Sequence, residues 1–517
     1  MIRILALLAS VSLGGSALAQ KTIRIAPQSN LAVLDPFWTT ATVTRTHGYM
    51  IYDTLFGTDL QNRVQPQMVE NWSVSADRKT WTFVLRAGLE FHDGKPVTSE
   101  DVLASLARWS QRDNLGQRLA AATQRWDALD ARRFRVVLKH PFGLMLEALG
   151  KPGAHVPFIV PRRVAETASD RQIEDTTGSG PYIFKRDEWR PGALAVYVKN
   201  PRYRPRAEAP SATAGGKRVF VDRVEWHILR DAQTQASALA NGEIDLVEQP
   251  AHEHYASLRA NPDVRVLDNR HGAQVLLRFN HLNPPFDDPR IRRAALVALS
   301  QEPFLQAQYG SRDLYRTCLS LYPCGTPYET NAGMQGLLQG DVKRARAMLR
   351  EAGYPDTPVV ILQPTDLATI ARLPLVAAQQ LRMAGFKVEL AALDWQAVIA
   401  RRQKKEAPAQ GGWSIFITTF NGLDLINPVV NPAMNAACDR AWPGWPCDER
   451  LEALRAEFLL GGGEAERRRI AAAAQSRALE VGTHAALGEY LQPVAARKNV
   501  TGYLNAPVYL YWNLDKR

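Results

Sequence analysis

The segment Val359-Val360-Ile361-Leu362 opens the most regular part of this chain and decides its fold class. Its aliphatic run predicts a buried strand, and the apolar spacing over residues 373–383 predicts a helix after it. The alternation continues as a strand at 386–390, a helix at 395–403 and a strand at 413–418. Strands that alternate with helices in this way form sheets covered by helices. The sequence therefore predicts an α/β fold.

Further elements are predicted on both sides of this region. The stretch Thr98-Ser99-Glu100-Asp101 carries an N-cap signal for a helix. Residues 274–279 form an apolar run that predicts an extended strand. Residues 47–56 predict a helix, and the aromatic run 508–513 predicts a strand that pairs into an earlier sheet.

The first residues predict export. Met1-Ile2-Arg3 is a short basic start, residues 4–13 are apolar, and Ala17-Leu18-Ala19 supplies the small residues that a signal peptidase reads. Cleavage is expected before Gln20, which makes residues 1–19 a signal peptide and the mature protein periplasmic. The apolar run is too short to span a bilayer, since spanning needs roughly 18 apolar residues. A buried N-terminal helix is the alternative.

Composition excludes some classes of protein. The 517 residues are too many for one simple core, whereas 22% charged and 46% hydrophobic residues are ordinary globular values. The net charge is +11, but the basic residues are scattered. The densest cluster, Arg401, Arg402, Lys404 and Lys405, is expected on a solvated helix without interleaved aromatic residues. Nucleic acid is therefore not a predicted partner.

All four cysteines, Cys318, Cys324, Cys438 and Cys447, lie in the second half of the chain. An even number of cysteines in an exported protein predicts disulfides. Three connectivities are possible, of which the local pairs 318–324 and 438–447 close the shortest loops. A zinc site is the alternative, but neither pair has the short internal spacing that is typical of structural zinc sites.

No catalytic or cofactor motif stands out. His252-Glu253-His254 does not have the spacing of a zinc-binding His-Glu-x-x-His helix, and a solvated helix start is the better interpretation. The sequence contains no Gly-x-Ser-x-Gly elbow, no Ser-x-x-Lys with partners and no phosphate loop. We therefore predict no metal, no cofactor and no enzymatic activity.

Six blocks of sequence share a pattern with a known family. They are residues 65–75 (QPQMVENWSVS), 81–86 (WTFVLR), 91–102 (FHDGKPVTSEDV), 178–182 (GSGPY), 280–294 (NHLNPPFDDPRIRRA) and 345–354 (ARAMLREAGY). In this order they resemble the family 5 extracellular solute-binding proteins of ABC importers, which include dipeptide-, oligopeptide- and nickel-binding proteins. The resemblance runs over essentially the whole mature chain.

The resemblance implies a two-lobed periplasmic binding protein fold (type II, cluster C) with an extra inserted subdomain and two hinge strands. Mapped on this chain, the first lobe takes residues 20–49, 181–272 and 487–517. Residues 50–180 form the inserted subdomain, and residues 273–486 form the second lobe. Both cysteine pairs then fall in the second lobe.

The function that the resemblance implies is capture of a small solute, a short peptide or a related compound, by closure of the lobes. The loaded protein, a monomer, then delivers the solute to the permease of an ABC importer. An exported α/β hydrolase and a periplasmic chaperone or sensor are the alternatives. The identity of the ligand stays open between peptide, metal chelate, opine and sugar.

Candidate ligand contacts follow from the same resemblance. In peptide receptors of the family an aspartate after a buried strand holds the ligand's amino terminus, and Asp424 in Phe420-Asn421-Gly422-Leu423-Asp424 is the nearest match. The sequence at 418–423 departs from the family pattern, which puts peptide specificity in doubt. Trp38, Trp395 and Phe420 are candidate aromatic contacts, and Asn421 is a candidate polar contact, because solute clefts combine aromatic walls with a few polar groups. The alternatives are a turn cap for Asp424 and core packing for the tryptophans.

Overall fold

The computed structural model describes residues 20–168, 170–267, 272–460 and 463–517. The predicted signal peptide, residues 1–19, lies outside the described residues. Within the described ranges no helix combines the length and the apolar character needed to cross a membrane.

The described residues form α-helices and β-strands in alternation along most of the chain. The helices are α1 (Thr42–Ile51), α2 (Ser99–Trp109), α3 (Asn114–Ala122), α4 (Met145–Gly150), α5 (Arg162–Ala165), α6 (Ala232–Asn241), α7 (Tyr255–Ala260), α8 (Pro289–Ala298), α9 (Gln301–Tyr309), α10 (Val342–Ala352), α11 (Leu373–Met383), α12 (Trp395–Arg401), α13 (Glu449–Leu460) and α14 (Glu464–Val481). The strands are β1 (Thr22–Ala26), β2 (Asp53–Thr54), β3 (Phe56–Thr58), β4 (Val64–Pro66), β5 (Val69–Val74), β6 (Thr80–Leu85), β7 (Thr123–Ala128), β8 (Arg133–Leu138), β9 (Phe158–Ile159), β10 (Tyr182–Phe184), β11 (Leu194–Lys199), β12 (Arg223–His227), β13 (Leu246–Val247), β14 (Val264–Leu267), β15 (Ala273–Phe279), β16 (Tyr315–Arg316), β17 (Val359–Pro364), β18 (Val388–Leu393), β19 (Ile415–Asn421), β20 (His484–Tyr490), β21 (Val494–Arg497), β22 (Val500–Thr501) and β23 (Asp515–Lys516).

The first lobe is built on a seven-stranded sheet with the order β10-β11-β12-β1-β13-β21-β14. Strand β1 runs parallel to β12 and to β13, and β21 returns antiparallel between β13 and β14. Ile23, Ile25 and Trp226 in its centre are completely buried. Because β1 and β13 are parallel neighbours, the residues that follow them emerge at the same edge of the sheet.

The second lobe is built on a six-stranded sheet with the order β16-β20-β15-β19-β17-β18. Strand β17 is parallel to β18 and β19, which confirms the α/β alternation predicted from residues 359–418. Strand β15 lies antiparallel between β19 and β20 and places Leu277 opposite Ile417 and Ala485. All three side chains are fully buried.

The chain passes between the two large sheets twice. In the first passage, strand β14 ends in the seven-stranded sheet at Leu267, and β15 begins in the six-stranded sheet at Ala273. Strand β20 stays in the second sheet up to Tyr490, and β21 enters the first sheet at Val494. The lobes are thus connected by two short stretches of chain.

A four-stranded antiparallel sheet, β5-β6-β8-β7, lies within residues 50–180. Phe83 on β6 stacks on Phe134 of β8 at 5.0 Å between ring centres. Helix α2 covers the sheet and starts with the predicted capping box, in which Thr98 and Asp101 satisfy each other's backbone N–H groups. This sheet is separate from both large sheets.

The prediction of a helix over residues 47–56 has the wrong bounds. Helix α1 ends at Ile51, and Asp53-Thr54 instead pairs with Phe158-Ile159 in a two-stranded sheet. The next residues, Phe56–Thr58, form β3. Pairing with a distant segment therefore overrides the local helical spacing.

The predicted aromatic strand over 508–513 is also wrong. The segment is buried but carries no strand ladder, and the terminal pairing falls later, between β22 and β23. Its backbone is held by side chains instead, since the Tyr182 hydroxyl donates to the Tyr511 carbonyl at 2.9 Å. Asn513 has a positive φ of 64°, which ends the extended run.

The cysteines form two local disulfides, Cys318–Cys324 and Cys438–Cys447, as the shortest-loop interpretation predicted. His252-Glu253-His254 forms a short 3-10 turn that leads into α7, with all three side chains at least partly exposed. This position agrees with a solvated helix start.

Candidate functional site

A narrow central cavity of about 40 Å³ lies where the two lobes meet. The first lobe contributes Gln28 after β1 and Gln249 after β13, because these parallel strands end at the same edge of the sheet. The second lobe contributes Asn421 at the end of β19, and Gln492 belongs to the passage between the sheets. Polar side chains from both lobes therefore converge on one small space.

An ion pair joins the lobes beside this cavity. The Arg45 Nη1 atom on α1 lies 3.3 Å from Asp424 Oδ2, and both side chains are almost completely buried. The backbone N–H of Ala154, which lies between α4 and β9, donates to Asp424 Oδ1 at 2.6 Å. A Cβ atom on Gly153 would lie 1.5 Å from the same oxygen, so only glycine allows this approach. Asp424 is thus the point where three parts of the fold meet.

Several polar atoms at the central cavity have no hydrogen-bond partner among the described residues. They are Arg45 Nε, Gln249 Oε1 and Gln492 Nε2. A buried polar group without a partner costs about 1–3 kcal/mol. Their convergence in one cavity is typical of a site that binds a polar solute.

Glu248 supports the wall of the central cavity. It is 1% exposed, receives a hydrogen bond from the Tyr511 hydroxyl and accepts the backbone N–H of Gln28 at 2.7 Å. Burial raises the pKa of Glu248 to about 7, although both hydrogen bonds act in the opposite direction. The position of Gln28 therefore depends on a carboxyl group that titrates near neutral pH.

A second and larger space, which we call the cationic chamber, has a volume of about 280 Å³. Its lining comes from several separate parts of the chain and comprises Trp38, Thr39, Thr40, Gln111, Arg112, Asn114, Gln117, His155, Arg402, Gln403, Pro432, Asp439, Arg440, Ala441, Trp442, Pro443 and Trp445. His155 of this lining directly follows Ala154, the residue whose backbone N–H binds Asp424.

Arg402 is the central group of the chamber. Its exposed fraction is 2%, and its Nη2 atom donates to the Thr40 hydroxyl of the first lobe at 3.1 Å. Its guanidinium carbon lies 5.6 Å from the ring centre of Trp442. The prediction that Arg402 lies on a solvated helix is wrong. Helix α12 ends at Arg401, and the side chain of Arg402 is buried at the junction of the lobes.

The predicted aromatic contacts divide into two groups. Trp38 is half-buried and lines the chamber, where the Arg112 guanidinium lies 4.0 Å from its ring centre. Trp395 and Phe420 are 6% and 5% exposed and pack in the core, Trp395 against Arg402 and Phe420 against Trp442. Of these three residues only Trp38 lines the chamber, and its contact with a ligand stays a prediction.

The segment after β19 has a structural role as well as a position at the site. Asn421 lines the central cavity, and its Oδ1 atom accepts the backbone N–H of Leu423 at 3.0 Å. Gly422–Asp424 forms a 3-10 turn. The structure therefore brings Asn421 and Asp424 to the junction of the lobes, and their contact with a ligand stays a prediction.

One wall of the chamber is a loop, residues 438–447, which we call the wall loop. The Cys438–Cys447 disulfide closes it, and Trp442 and Trp445 line the chamber from it. Arg278 on β15 donates to the carbonyls of Trp442 and Pro443 at 3.1 and 2.9 Å. The loop is thus fixed both at its ends and in its middle.

The sequence did not reveal Arg45, Gln249 or Arg402 as site residues. In the sequence, Arg45 and Gln249 look like ordinary polar residues. They lie close together only because the ends of α1 and β13 meet in the fold. For Arg402 a signal was available, because Trp395 stands seven residues earlier and thus on the same helix face.

Two α/β lobes that are joined by two short passages and enclose polar groups from both sides define the class of hinged solute-binding proteins. Within that class, this chain belongs to the bacterial extracellular solute-binding proteins of family 5. The model of this family, "Bacterial extracellular solute-binding proteins, family 5 Middle", matches residues 63–432. The family consists of transport proteins that bind solutes for ABC importers, which confirms the resemblance and the predicted class of function.

Relatives and solved structures agree with this assignment. A curated relative in Sinorhizobium fredii (strain NBRC 101917 / NGR234), "Probable peptide ABC transporter periplasmic-binding protein y4tO", is 39% identical over 503 residues, 96% of this chain and 94% of the relative. The fold is similar to that of the binding protein AgaA from A.tumefacien R10 in complex with agropinic acid, with a TM-score of 0.80, 23% identity and coverage of 96% and 99%. A dipeptide-binding protein from pseudoalteromonas sp. SM9913 in complex with Met-Leu gives a TM-score of 0.80 at 18% identity, with coverage of 96% and 100%.

Proposed function

We propose that this protein captures a small amino-acid-derived solute, a short peptide or an amino-acid conjugate, between its lobes and presents the closed form to the permease of an ABC importer. The convergence of unpaired buried groups from both lobes at the central cavity supports the proposal most directly. The 39% identical relative is named as a peptide-binding protein, and the two solved relatives hold agropinic acid and Met-Leu.

The lobes move about the two passages between the sheets. In this proposal the first lobe consists of the seven-stranded sheet with its helices, and the second of the six-stranded sheet. We place the division between Leu267 and Ala273 and between Tyr490 and Val494, where the chain leaves one sheet and enters the other. A solute that touches both lobes binds the closed form better than the open form and shifts the population towards closure. Residues 50–180 move with the first lobe.

Asp424 receives the amino group of the solute. Its contact with Arg45 is long, at 3.3 Å, so a cation of the solute replaces a weak pairing with a shorter one. The Arg45 guanidinium then becomes available to acidic or carbonyl oxygens of the solute in the central cavity. A zwitterionic solute fits this pair because it supplies both charges.

The protein works outside the cytoplasmic membrane after removal of residues 1–19, and we propose the periplasm as the compartment. It acts as a monomer. Edman sequencing of the secreted protein checks the cleavage site, and Gln20 is the expected first residue.

Native mass spectrometry of the protein as purified tests the proposed function. We expect a discrete additional mass that is lost on unfolding and that corresponds to an amino-acid-derived compound. Isothermal titration with that compound should give at least tenfold weaker binding for Asp424→Asn and unchanged binding for Asp356→Asn, which removes an exposed carboxylate. A retained sugar without an amino group, or equal binding by both variants, would contradict the proposal.

A further inference from the structure

We propose that an exposed face of the second lobe binds the anionic phospholipid surface of the membrane that holds the permease. This surface, which we call the basic face, consists of one side of α10, the end of α11 and the start of β18. Its occupant is the layer of phosphate headgroups, which carries the opposite charge. The inference goes beyond the proposed function, and its test needs neither solute nor permease.

One side of α10 is lined with basic side chains. Lys343, Arg346 and Arg350 follow one another at intervals of three and four residues, which places them on one face of the helix. All three are exposed, whereas Ala345 and Leu349 are buried. Helix α10 therefore presents a stripe of positive charge to solvent.

The stripe continues onto α11 and β18. Arg346 Nε donates to the Met383 carbonyl at 2.8 Å, so the end of α11 lies beside α10. Arg382 Nη2 donates to the Val388 carbonyl at 2.8 Å, and Lys387 directly precedes Val388, the first residue of β18. Arg382 and Lys387 are both exposed. Five basic side chains from three elements thus share one continuous face.

The protein leaves these five side chains without carboxylate partners. None of them has an acidic oxygen within 4 Å among the described residues. On α14, by contrast, Arg468 pairs with Glu464 and Arg469 pairs with Glu466. Basic side chains that are not neutralised within the fold are available to an external anion.

Two carboxylates lie near the basic face in sequence and do not cancel its charge. Glu351 directly follows Arg350, which places it about 100° round α10 from that residue. Glu389 is exposed and follows Lys387 by two residues, so it offsets one of the five charges at the edge of the face. Positive charge therefore remains in excess.

The apolar residues of the same region favour a lipid surface over a protein partner. Leu375 and Met383 on α11 are 46% and 48% exposed. Aliphatic side chains beside a basic rim are typical of helices that lie in a membrane interface. Neither α10 nor α11 contains an aromatic residue, whereas the centres of protein interfaces are enriched in tyrosine, tryptophan and phenylalanine.

The size of the basic face suits reversible binding. Clusters of about 4–8 basic residues recognise anionic lipids, and each residue strengthens binding by about fivefold. The attraction acts within a Debye length, about 8 Å at physiological salt. A receptor held in this way diffuses along the membrane, which raises its effective concentration near the permease.

Co-sedimentation with vesicles tests this inference. The full mature protein is mixed with vesicles of phosphatidylcholine and phosphatidylglycerol in equal parts, or of phosphatidylcholine alone, and the bound fraction is measured after centrifugation. The wild-type protein is compared with a face variant that combines Lys343→Gln, Arg350→Gln and Lys387→Gln.

The matched control combines Arg230→Gln, Lys404→Gln and Lys498→Gln. Both variants replace one arginine and two lysines, so they have the same total charge and differ only in where charge is removed. All six residues are exposed, and none of their side chains makes a hydrogen bond or ion pair within the described ranges. Equal unfolding temperatures for the three proteins exclude misfolding as the cause of a difference.

We expect the wild-type protein and the control variant to bind the phosphatidylglycerol vesicles at least tenfold more tightly than the face variant. Their binding should fall when NaCl is raised from about 0.1 M to about 1 M, because the Debye length shortens from about 10 Å to about 3 Å.

Three results would overturn the inference: no binding of the wild-type protein, equal binding to both kinds of vesicle, or equal losses in the two variants. Unchanged vesicle binding by the face variant, together with a loss of solute-dependent ATPase activity of the permease, would assign the face to the permease and overturn it as well. The vesicles contain no solute and no permease, so none of the vesicle results bears on the proposed function.

Discussion

Glu248 is a residue whose acid–base behaviour in the fold departs from its behaviour in water. Burial raises its pKa from 4.5 to about 7, so the folded protein holds a proton there that the unfolded chain has already lost. Between pH 4.5 and 7 the folded state therefore binds more protons than the unfolded state. The stability contributed by the neutral carboxyl group is complete below this window and is lost as the pH rises through it.

Replacement of Glu248 by glutamine should remove this pH dependence. The wild-type protein is expected to lose about 3 kcal/mol of unfolding free energy between pH 4.5 and 7 relative to Glu248→Gln. Glutamine keeps only one of the two acceptor oxygens that bind the Gln28 N–H and the Tyr511 hydroxyl, and the loss of the other lowers the stability of the variant by about 1 kcal/mol at every pH. Urea unfolding at several pH values checks the slope, with Glu351→Gln, an exposed carboxylate, as control. Parallel curves for the wild-type protein and Glu248→Gln would show that Glu248 does not titrate in this window.

Single residues of the site could be predicted from sequence only where a local pattern carried the information. Asn421 and Asp424 follow a buried strand, and their place at the end of β19 is set by that strand. The buried position of Arg402 could not be predicted in the same way, because its neighbours Arg401 and Lys404 are also basic residues but have different environments. The spacing from Trp395 indicates which helix face carries Arg402, but the burial of its guanidinium depends on which distant segments pack on that face, and sequence spacing does not contain that information.

At the level of elements, the wall loop connects the stability of the second lobe to solute binding. The disulfide at its base limits the freedom of the ten residues that carry Trp442 and Trp445. Arg278 holds the loop at its centre through two carbonyl groups, and a Cβ atom on Gly444 would lie 2.5 Å from Arg278 Nε. The loop therefore presents both indole rings in one arrangement.

Removal of the Cys438–Cys447 disulfide should weaken solute binding more than removal of the other disulfide. The paired change Cys438→Ser with Cys447→Ser is expected to lower affinity several-fold, because the chamber wall must then be ordered on binding. The paired change Cys318→Ser with Cys324→Ser is the matched control, since neither cysteine lines the chamber. Each pair should lower unfolding free energy by about 2–3 kcal/mol.

Isothermal titration with the co-purified solute measures the change in affinity, and urea unfolding measures the change in stability. Equal affinity losses in both variants would contradict a specific role of the wall loop.

Elements with local start and stop signals were predictable, whereas those fixed by distant contacts were not. Helix α11 spans the predicted 373–383, and α2 has the predicted capping box at Thr98. By contrast, residues 508–513 have the aromatic composition of a strand but are anchored through tyrosine hydroxyls and by Tyr182. β-Propensity reports how well a side chain suits a half-buried surface, and it does not report whether a partner strand is present.

At the scale of the whole molecule, function depends on the balance between open and closed forms, and this structure is closed. Contacts between the lobes include the Gln396 amide to the Asn30 carbonyl at 2.8 Å and Arg402 to Thr40. Farther from the central cavity, Arg118 on α3 pairs with Glu452 on α13. Their side chains are 25% and 18% exposed, so this pair is a partly exposed contact between α3 and α13. Contacts of this kind exist only when the lobes are closed.

Replacement of Arg118 by glutamine should therefore shift the population towards the open form without affecting the lobes themselves. A partly exposed ion pair is worth about 0.2–1 kcal/mol, which corresponds to a shift of up to roughly fivefold in the closing equilibrium and in the apparent affinity. The matched control is Arg125→Gln, since Arg125 pairs with Asp127 on the same strand and crosses no boundary. Small-angle scattering should give a larger radius of gyration for unliganded Arg118→Gln than for the control, and saturating solute should restore equal values. If Arg118→Gln instead lowered the thermal stability of the unliganded protein with no change in radius, the pair would stabilise the fold rather than the closed form.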